Sequence, residues 1–416
     1  MSGNSLHKDQ GGRISIFFVF GAVAFIFLIA LIYNTASQSI RKIQMQGAAD
    51  AAAIAGGAHA ASELNEIADN NNMMSEILTA MIVIRSMLQT VEAMKGEINV
   101  AAGVAAIFGQ VEVAAPLYEL GRAFDLAATI IGVIDSAVSD PSNGAGWEAM
   151  KSLDDNNVSI KTTFPAWAEE ETRNFAKNNG ADRGQYGVLI PRESPALDLL
   201  PFLPVARGRE LELLDRAEAT YLKPLQPIPG PLLLVFLFVQ PSNPGLIYLS
   251  AVKYNTSNLR GNKITSAISK LAGVISNVPG LETTEPLDWP EEPPKPMLLT
   301  DQPSLDPAAI MDAKESAADL SKVRKHLQYL AIATGKMSRG SKIGGEKFLN
   351  VAPYQSLSYA QADVYNPTKW SLFEQNWRVK LAPAVTLNEK FNQVTGIMGL
   401  KGASQFVNGL SFVNNH

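Results

Sequence analysis

The sequence contains no cysteine and only four histidines among its 416 residues. Without cysteine the chain has no disulfide framework, no thiol nucleophile and no cysteine-ligated zinc or iron–sulfur cluster. The four histidines, His7, His59, His326 and His416, do not stand at metal-ligand spacing. No G-x-S-x-G, P-loop lysine or G-x-G-x-x-G motif is present. These absences favour a protein that is not an enzyme and that uses no metal or cofactor.

Charge is also scarce. Charged residues make up 18% of the chain, the net charge is -5, and no run of lysine or arginine occurs. Because nucleic-acid binding needs a clustered basic face, nucleic acid is not expected as a partner. Hydrophobic residues make up 46% of the chain, which is enough for a packed core in one large domain or two to three smaller ones.

One long apolar run stands out near the start. Residues 14–33 carry no charge, and as a helix they would span about 30 Å, the thickness of a hydrocarbon core. A buried soluble helix would show a polar face, and a cleaved signal would be shorter with a better cleavage site than Asn34-Thr35-Ala36. The run is therefore predicted to be a retained membrane anchor in the lipid bilayer. Its chief anchoring residues are Ile14, Phe17, Phe18, Phe25, Phe27, Leu31 and Tyr33.

The helical pattern continues beyond Tyr33. Residues 39–61 contain no proline and are rich in alanine, so residues 34–68 are predicted to form a rigid helical stalk. Its small residues, Gly47, Ala48, Ala51, Ala52, Ala55 and Gly56, would allow another helix to approach closely. Two alternatives remain at this point: the small-residue face packs on its own domain, or it contacts another chain.

These residues also carry a resemblance. Gly12-Arg13 leads into the apolar run, and Gln46-Gly47-Ala48-Ala49-Asp50-Ala51-Ala52-Ala53-Ile54-Ala55-Gly56 follows it. Over about residues 12–58 the chain resembles the N-terminal segment of Tad-type (Flp) pilus-assembly proteins of the TadE/TadG-like family. A softer match covers residues 360–381. The resemblance implies helix packing by Gln46, Ala48, Ala49, Asp50, Ala52, Ala55 and Gly56. Asp50 is expected either to face water or to pair with a base of a partner.

Two departures from related patterns bear on function. Pilins carry a glutamate five residues after the processing glycine, and counting from Gly12 this chain has Phe17 there, which argues against a filament-core role and peptidase cleavage. Some larger relatives carry an Asp-x-Ser-x-Ser metal site. The nearest run here begins at Asp135 and has Ala137 in place of the middle serine, so it is interpreted as a helix end.

The rest of the chain divides into segments that differ in composition and in the spacing of their apolar residues. Asn70-Asn71-Asn72 is expected to break the stalk and cap a helix with an apolar stripe from Met74 to Val91, more typical of a core helix than of a coiled coil. Helix is predicted over residues 98–138, interrupted or kinked at Pro116, with a turn at residues 141–146. Residues 232–239 and 246–254 are predicted to pair as a hairpin, and residues 261–275 to form a helix. Residues 279–307 are expected to be an extended linker or strap. Pro307 is expected to begin a helix that carries Leu320, Val323, Leu327 and Leu330. Short strands that include Leu357, Tyr359 and Val364 are expected to follow.

The predicted fold class is α+β: a transmembrane helix continuing into an alanine-rich stalk, then a helix-rich section and a mixed α/β outer domain. The boundaries are a cytoplasmic tail over 1–13, the span over 14–33, the stalk over 34–68, a helical section over 69–140, an α+β section over 147–278, a proline-rich linker over 279–307 and a C-terminal section over 308–416. The resemblance implies a non-enzymatic assembly component of a Tad-like pilus or secretion system, in the bacterial inner membrane with its C-terminal domain outside the cytoplasm. Pilus-assembly proteins or pilin subunits are the expected partners, with a homo- or hetero-oligomer through the stalk. A membrane-tethered binding or adhesion protein unrelated to pili is the alternative.

Overall fold

The computed structural model describes residues 6–190, 203–222, 244–261, 285–300, 326–336 and 355–382. Over these residues the chain is mostly helical, with two small sheets. The helices are α1 (Leu6–Ile107), α2 (Val111–Ser139), α3 (Ala145–Asn178), α4 (Leu211–Ala217), which runs into a π-helical turn (Glu218–Leu222), and α5 (Pro244–Leu259). The strands are β1 (Arg183–Ile190), β2 (Val205–Arg207), β3 (Met297–Leu299), β4 (His326–Lys336), β5 (Gln355–Tyr365) and β6 (Arg378–Ala382).

Helix α1 is the axis of the fold. It runs for 102 residues without a break, because the first proline of the chain is Pro116 and the stretch is rich in good helix formers. The apolar span and the alanine-rich stalk therefore form one helix, as predicted. All the larger elements pack against it: α2, α3, α4, α5, β4, β5 and β6.

A four-stranded antiparallel sheet, with the order β1-β4-β5-β6, covers one side of α1. Along β4 the buried residues Leu327, Tyr329, Ala331 and Ala333 alternate and belong to the core cluster shared with α1. Residues of α3 complete this cluster from Ile160 to Ala176. It is the core cluster nearer to the apolar N-terminal part of α1.

A second core cluster lies further along α1. Met74, Leu78, Met81 and Ile82 pack there with the start of α3 and with α4 and α5. The stripe that begins at Met74 is therefore part of an intramolecular core, which is the alternative that the sequence favoured over a coiled coil.

Four sequence predictions are wrong, and each has a physical reason. Asn70-Asn71-Asn72 does not interrupt α1, because their side chains make tertiary hydrogen bonds instead of capping a helix. The break expected at Pro116 lies at Gly109, whose φ of 72° ends α1, while Pro116 is accommodated inside α2.

The other two errors concern the period of the apolar residues. Leu246 to Tyr254 lies in α5 and not in a strand, since Ile247, Ala251 and Leu259 recur at helical spacing on its buried side. Leu327 and Leu330 lie in β4 and not in a helix.

Several predictions agree with the structure. The turn after α2 is present at residues 141–143, and Leu357, Tyr359 and Val364 lie in β5. Residues 285–300 form an extended strap that ends in β3 and bonds to the body: Leu287 N donates to Asn255 Oδ1 at 2.9 Å, and Lys295 N donates to Asp154 Oδ2 at 3.2 Å. The strand expected at 232–239 and the helix start at Pro307 lie outside the described residues, as does the helix expected at 261–275 apart from Gly261, which lies in a turn.

Candidate functional site: the N-terminal helix and its motif face

The apolar span of α1 is exposed on every side. Phe17, Phe18, Phe25, Phe27, Leu31 and Tyr33 are all solvent-facing, with Phe18 80% exposed; the side chain of Ile14 lies outside the described part. Burial of such residues normally stabilises a soluble helix, and here the described part of the chain provides no cover. Within the described residues α1 is the one helix long and apolar enough to cross a membrane, by length and composition.

The alanine-rich stretch has a different environment on its two sides. The motif face, defined as Ala48, Ala49, Ala52, Ala53, Gly56 and Gly57, is buried against the sheet. Ala55 is half-buried beside it, while Gly47, Ile54 and Ala58 point away from the sheet. Of the two alternatives left by the sequence, packing on the chain's own domain is the one observed for this face.

Glycines allow close approaches between α1 and the sheet. A Cβ atom on Gly56 would lie 2.1 Å from Tyr329 Cε1, and one on Gly57 would lie 2.7 Å from Val379 Cγ2. The reverse arrangement occurs at Gly335 in β4, where Met45 of α1 fills the space that a side chain would take. The small residues of the motif therefore set the distance between helix and sheet.

Polar side chains fix the register of α1 on the sheet. Gln46 Nε2 donates to Asp50 Oδ1 at 2.9 Å and to the Tyr359 carbonyl at 3.2 Å. Burial raises the pKa of the Asp50 carboxyl above its ordinary value, and the Gln46 hydrogen bond partly offsets this. Asp50 thus has an amide of its own chain as a hydrogen-bond partner.

Tyr329 joins the sheet to α3 as well as to α1. Its hydroxyl donates to the Ala168 carbonyl at 3.1 Å and lies 2.6 Å from Thr172 Oγ1. Burial is the main cause of a raised pKa for this phenol. The ring therefore packs on Gly56 while its hydroxyl is held by α3.

The softer C-terminal match packs directly on the N-terminal motif helix. Asn65 Nδ2 donates to the Trp377 carbonyl at 3.1 Å, and Trp377 N donates to Asn65 Oδ1 at 2.9 Å. Ala362 and Val364 of β5 lie near Gly57. Two stretches about 300 residues apart in sequence thus form one packing unit.

The three asparagines that were predicted to cap a helix instead join α1 to distant parts of the chain by hydrogen bonds. Asn71 Nδ2 donates to the carbonyls of Met297 and Leu372 at 2.7 and 2.8 Å, and its Oδ1 accepts from Met297 N at 3.1 Å. Asn72 Nδ2 donates to the Phe373 carbonyl at 3.0 Å. Three consecutive asparagines between helical stretches were the available signal, because buried amides require partners.

His59 lies at the edge of the motif face, between α1 and α3. Its ring stacks on Phe164 with centroids 5.5 Å apart, and its Nε2 is 3.5 Å from Glu63 Oε1. Burial lowers the pKa of this imidazole, against a smaller raising influence from Glu171. The environment is that of a packed, neutral side chain.

Among the described residues no group of three or more histidines, aspartates and glutamates could hold a metal ion. Asp135 lies near the end of α2, as predicted, and forms a buried ion pair with Arg85 Nε at 3.0 Å.

Comparison with known proteins identifies the segment built around this helix. Residues 12–60 match the Tad family, described as "Putative Flp pilus-assembly TadE/G-like". The resemblance inferred from the motif is therefore confirmed for the N-terminal Tad segment, and it supports a Tad/Flp pilus-associated role. No curated protein and no solved structure matches the chain.

Proposed function

We propose that the protein is a non-enzymatic structural or assembly component of a Tad-like pilus or secretion system, held in the inner membrane by residues 14–33 with its large domain in the periplasm. The match of residues 12–60 to the Tad segment carries this proposal. The uncovered apolar surface of α1 over residues 17–33 supports the anchor. Pilin subunits or other pilus-assembly proteins are the proposed partners.

The geometry of the Tad segment restricts how such partners would dock. Because the motif face packs on the sheet, contact with another helix would use the opposite ridge, defined as Ile43, Gly47, Ile54 and Ala58. These four residues are exposed and continue the apolar surface of the span. Large apolar side chains outside a membrane favour a protein contact. The proposed homo- or hetero-oligomer therefore forms along this ridge.

Cross-linking in the host cell tests the ridge. Since the chain has no cysteine, Ile54→Cys and Ala58→Cys each introduce a single reactive thiol. We expect thiol-to-amine cross-links from these positions to another component of the system. Ala52→Cys, on the motif face two residues away, is the matched control and should give none. Equal cross-linking from both faces, or from neither, would contradict the proposed docking mode.

Deletion of the gene tests the function itself. We expect loss of pilin from the sheared surface fraction, restored by the full chain and not by a chain lacking residues 14–33. The intact protein should fractionate with the inner membrane, and protease should reach it only after the outer barrier is breached. Normal piliation in the deletion strain would contradict an assembly role and favour the tethered binding protein.

A further inference from the structure

The end of α1 that is furthest from the span forms a protruding apolar hairpin with α2. The hydrophobic cluster of Ala93, Met94 and Ile247 is the last one in the described residues that joins α1 to the body. Beyond it, residues 98–118 form what we call the apolar cap: the end of α1, a short turn and the start of α2. Of these residues, Glu112 alone carries a charge.

Most of the exposed surface of the cap is apolar, and its exposed polar residues are Asn99, Gln110 and Glu112. Ile107 is 82% exposed and Phe108 is 76% exposed. The remaining large exposed side chains lie on both helices, namely Val100, Val104, Val111, Val113 and Tyr118. Large apolar side chains exposed on both helices of a hairpin that carries a single charge suit the hydrocarbon of a membrane, where charges are costly.

Three backbone donors of the turn at the apex are bonded within the hairpin. Phe108 N donates to the Val104 carbonyl at 3.1 Å, Gly109 N to Ala106 at 3.1 Å and Gln110 N to Ala105 at 2.9 Å. Gly109 adopts the φ of 72° that this closure needs. These bonds lower the cost of moving the turn into hydrocarbon, since no water is present there to bond with free groups.

A charged level marks the base of the cap. Lys95 pairs with Asp125, and Arg122 Nη1 lies 3.2 Å from Glu119 Oε1, with both of the latter side chains exposed. Tyr118 stands at this boundary, a position favoured by aromatic residues at membrane interfaces. From residue 98 to residue 107 the helix rises about 15 Å, the thickness of about one leaflet of hydrocarbon.

We propose that the apolar cap inserts into one leaflet of a lipid bilayer, and that this bilayer is not the one that holds the span. Residues 34–97 of α1 separate the two apolar ends by a contour of roughly 100 Å, and the folded body lies along that length. The protein would then bridge two membrane surfaces. This inference concerns the far end of the molecule and does not depend on the proposed role in a pilus.

The test uses the full chain held in a nanodisc through its span, with protein-free phosphatidylcholine vesicles added. A single cysteine at Ala106, an exposed position in the cap, carries an environment-sensitive fluorophore. We expect a blue shift on vesicle addition, quenching by spin-labelled lipid placed in the added vesicles, and flotation of the nanodiscs with those vesicles.

Substitutions in the cap are expected to change the affinity for vesicles in opposite directions. Val104→Asp or Ile107→Asp should weaken vesicle binding at least about tenfold, because a carboxylate is costly in hydrocarbon. Glu112→Gln should strengthen binding, since it removes the charge in the cap, and a misfolded variant would not show such a gain. Leu126→Asp is the matched control: Leu126 is exposed on α2 but lies below the charged level, so binding should not change.

Three results would overturn the proposal. Quenching by spin-labelled lipid in the nanodisc itself would mean that the cap returns to its own membrane. A blue shift that depends on protein concentration and needs no added vesicles would mean that the cap binds the cap of a second copy of the chain. Absence of both vesicle binding and a blue shift would mean that the cap binds no lipid.

Discussion

Two glycines of the Tad segment are predicted to respond oppositely to the same substitution. At Gly56 an alanine would place its Cβ against the Tyr329 ring, whereas at Gly47 nothing lies within 4 Å. Gly56→Ala should therefore lower the free energy of unfolding by about 1–3 kcal/mol through overpacking. Gly47→Ala should raise it by up to about 1 kcal/mol through helix propensity alone.

Denaturant unfolding of the detergent-solubilised chain measures both variants. Because the two positions share one helix and one motif, the difference in sign reports on the sheet that covers Gly56. A stabilised Gly56→Ala variant would contradict the contact with Tyr329.

Asn71 is predicted to be one of the most sensitive polar residues in the chain. Asn71→Ala leaves the buried carbonyls of Met297 and Leu372 and the Met297 N–H without this partner. Each such group costs about 1–3 kcal/mol, so we expect a total loss above about 3 kcal/mol. Asn178→Ala, at an exposed position in the last turn of α3, should change stability little, and a comparable loss there would count against the account.

His59 predicts a dependence of stability on pH. Burial lowers its pKa in the folded protein, so folding favours the neutral imidazole. The stability that depends on the neutral form is complete above the unfolded value near 6.5 and is lost as the pH falls through the lowered folded value.

The wild-type chain should therefore lose more stability than His59→Gln between about pH 7.5 and about pH 5.5. Thermal unfolding at both pH values measures the difference. The neighbouring Glu63 has a raised pKa caused mainly by burial, which works in the opposite direction, but it is common to both proteins. Equal pH slopes would show that the imidazole is not buried as described.

At the scale of elements, the attachment of α2 to α1 rests on a buried ion pair. Asp135 is 4% exposed and its partner Arg85 is 15% exposed, so removing one charge leaves the other without compensation. Asp135→Ala should lower stability by about 3–5 kcal/mol, and Arg85→Met combined with Asp135→Leu should recover most of that loss. Asp125→Ala, which breaks the exposed Lys95 pair on the same two helices, should cost less than about 1 kcal/mol. Similar losses at Asp125 and Asp135 would contradict this difference in burial.

Elements with a long uniform pattern could be predicted from the sequence, and elements decided by tertiary contacts could not. The apolar span, its continuation through the alanines and the turn after α2 follow from local chemistry. The asparagine triplet carries a local signal for a cap, but Met297, Leu372 and Phe373 bring distant carbonyls to these amides. No local rule anticipates those partners.

The errors in α5 and β4 arise from short apolar runs that suit either period. In α5 the residues Ile247, Ala251 and Asn255 follow one another at steps of four, which is a helical spacing. Because Asn255 is polar, the apolar residues alone do not show this spacing. The burial of Asn255 depends on the strap of residues 285–300, because its Oδ1 accepts a hydrogen bond from Leu287 N. In the candidate site, the motif residues and the softer match that contains Trp377 were identified from the resemblance, while Tyr329 could be found only from the fold.

At the scale of the whole molecule, α1 connects every functional feature. Its first part is an apolar span that the described residues leave uncovered, its middle is the core helix of the folded body, and its far end forms the apolar cap. The motif-bearing segment is therefore not a free stalk that carries a separate domain. Any force or displacement applied at the span would pass directly into the packed core through the same helix.

Amide hydrogen exchange of the intact chain in a nanodisc tests this central claim most directly. If residues 45–68 are the core helix of the outer domain, their amides should exchange as slowly as those of β4 and β5 and should become labile together with them as denaturant is added. Fast exchange over residues 45–68 while β4 and β5 stay protected would contradict the account, because it would show a stalk that forms independently of the sheet.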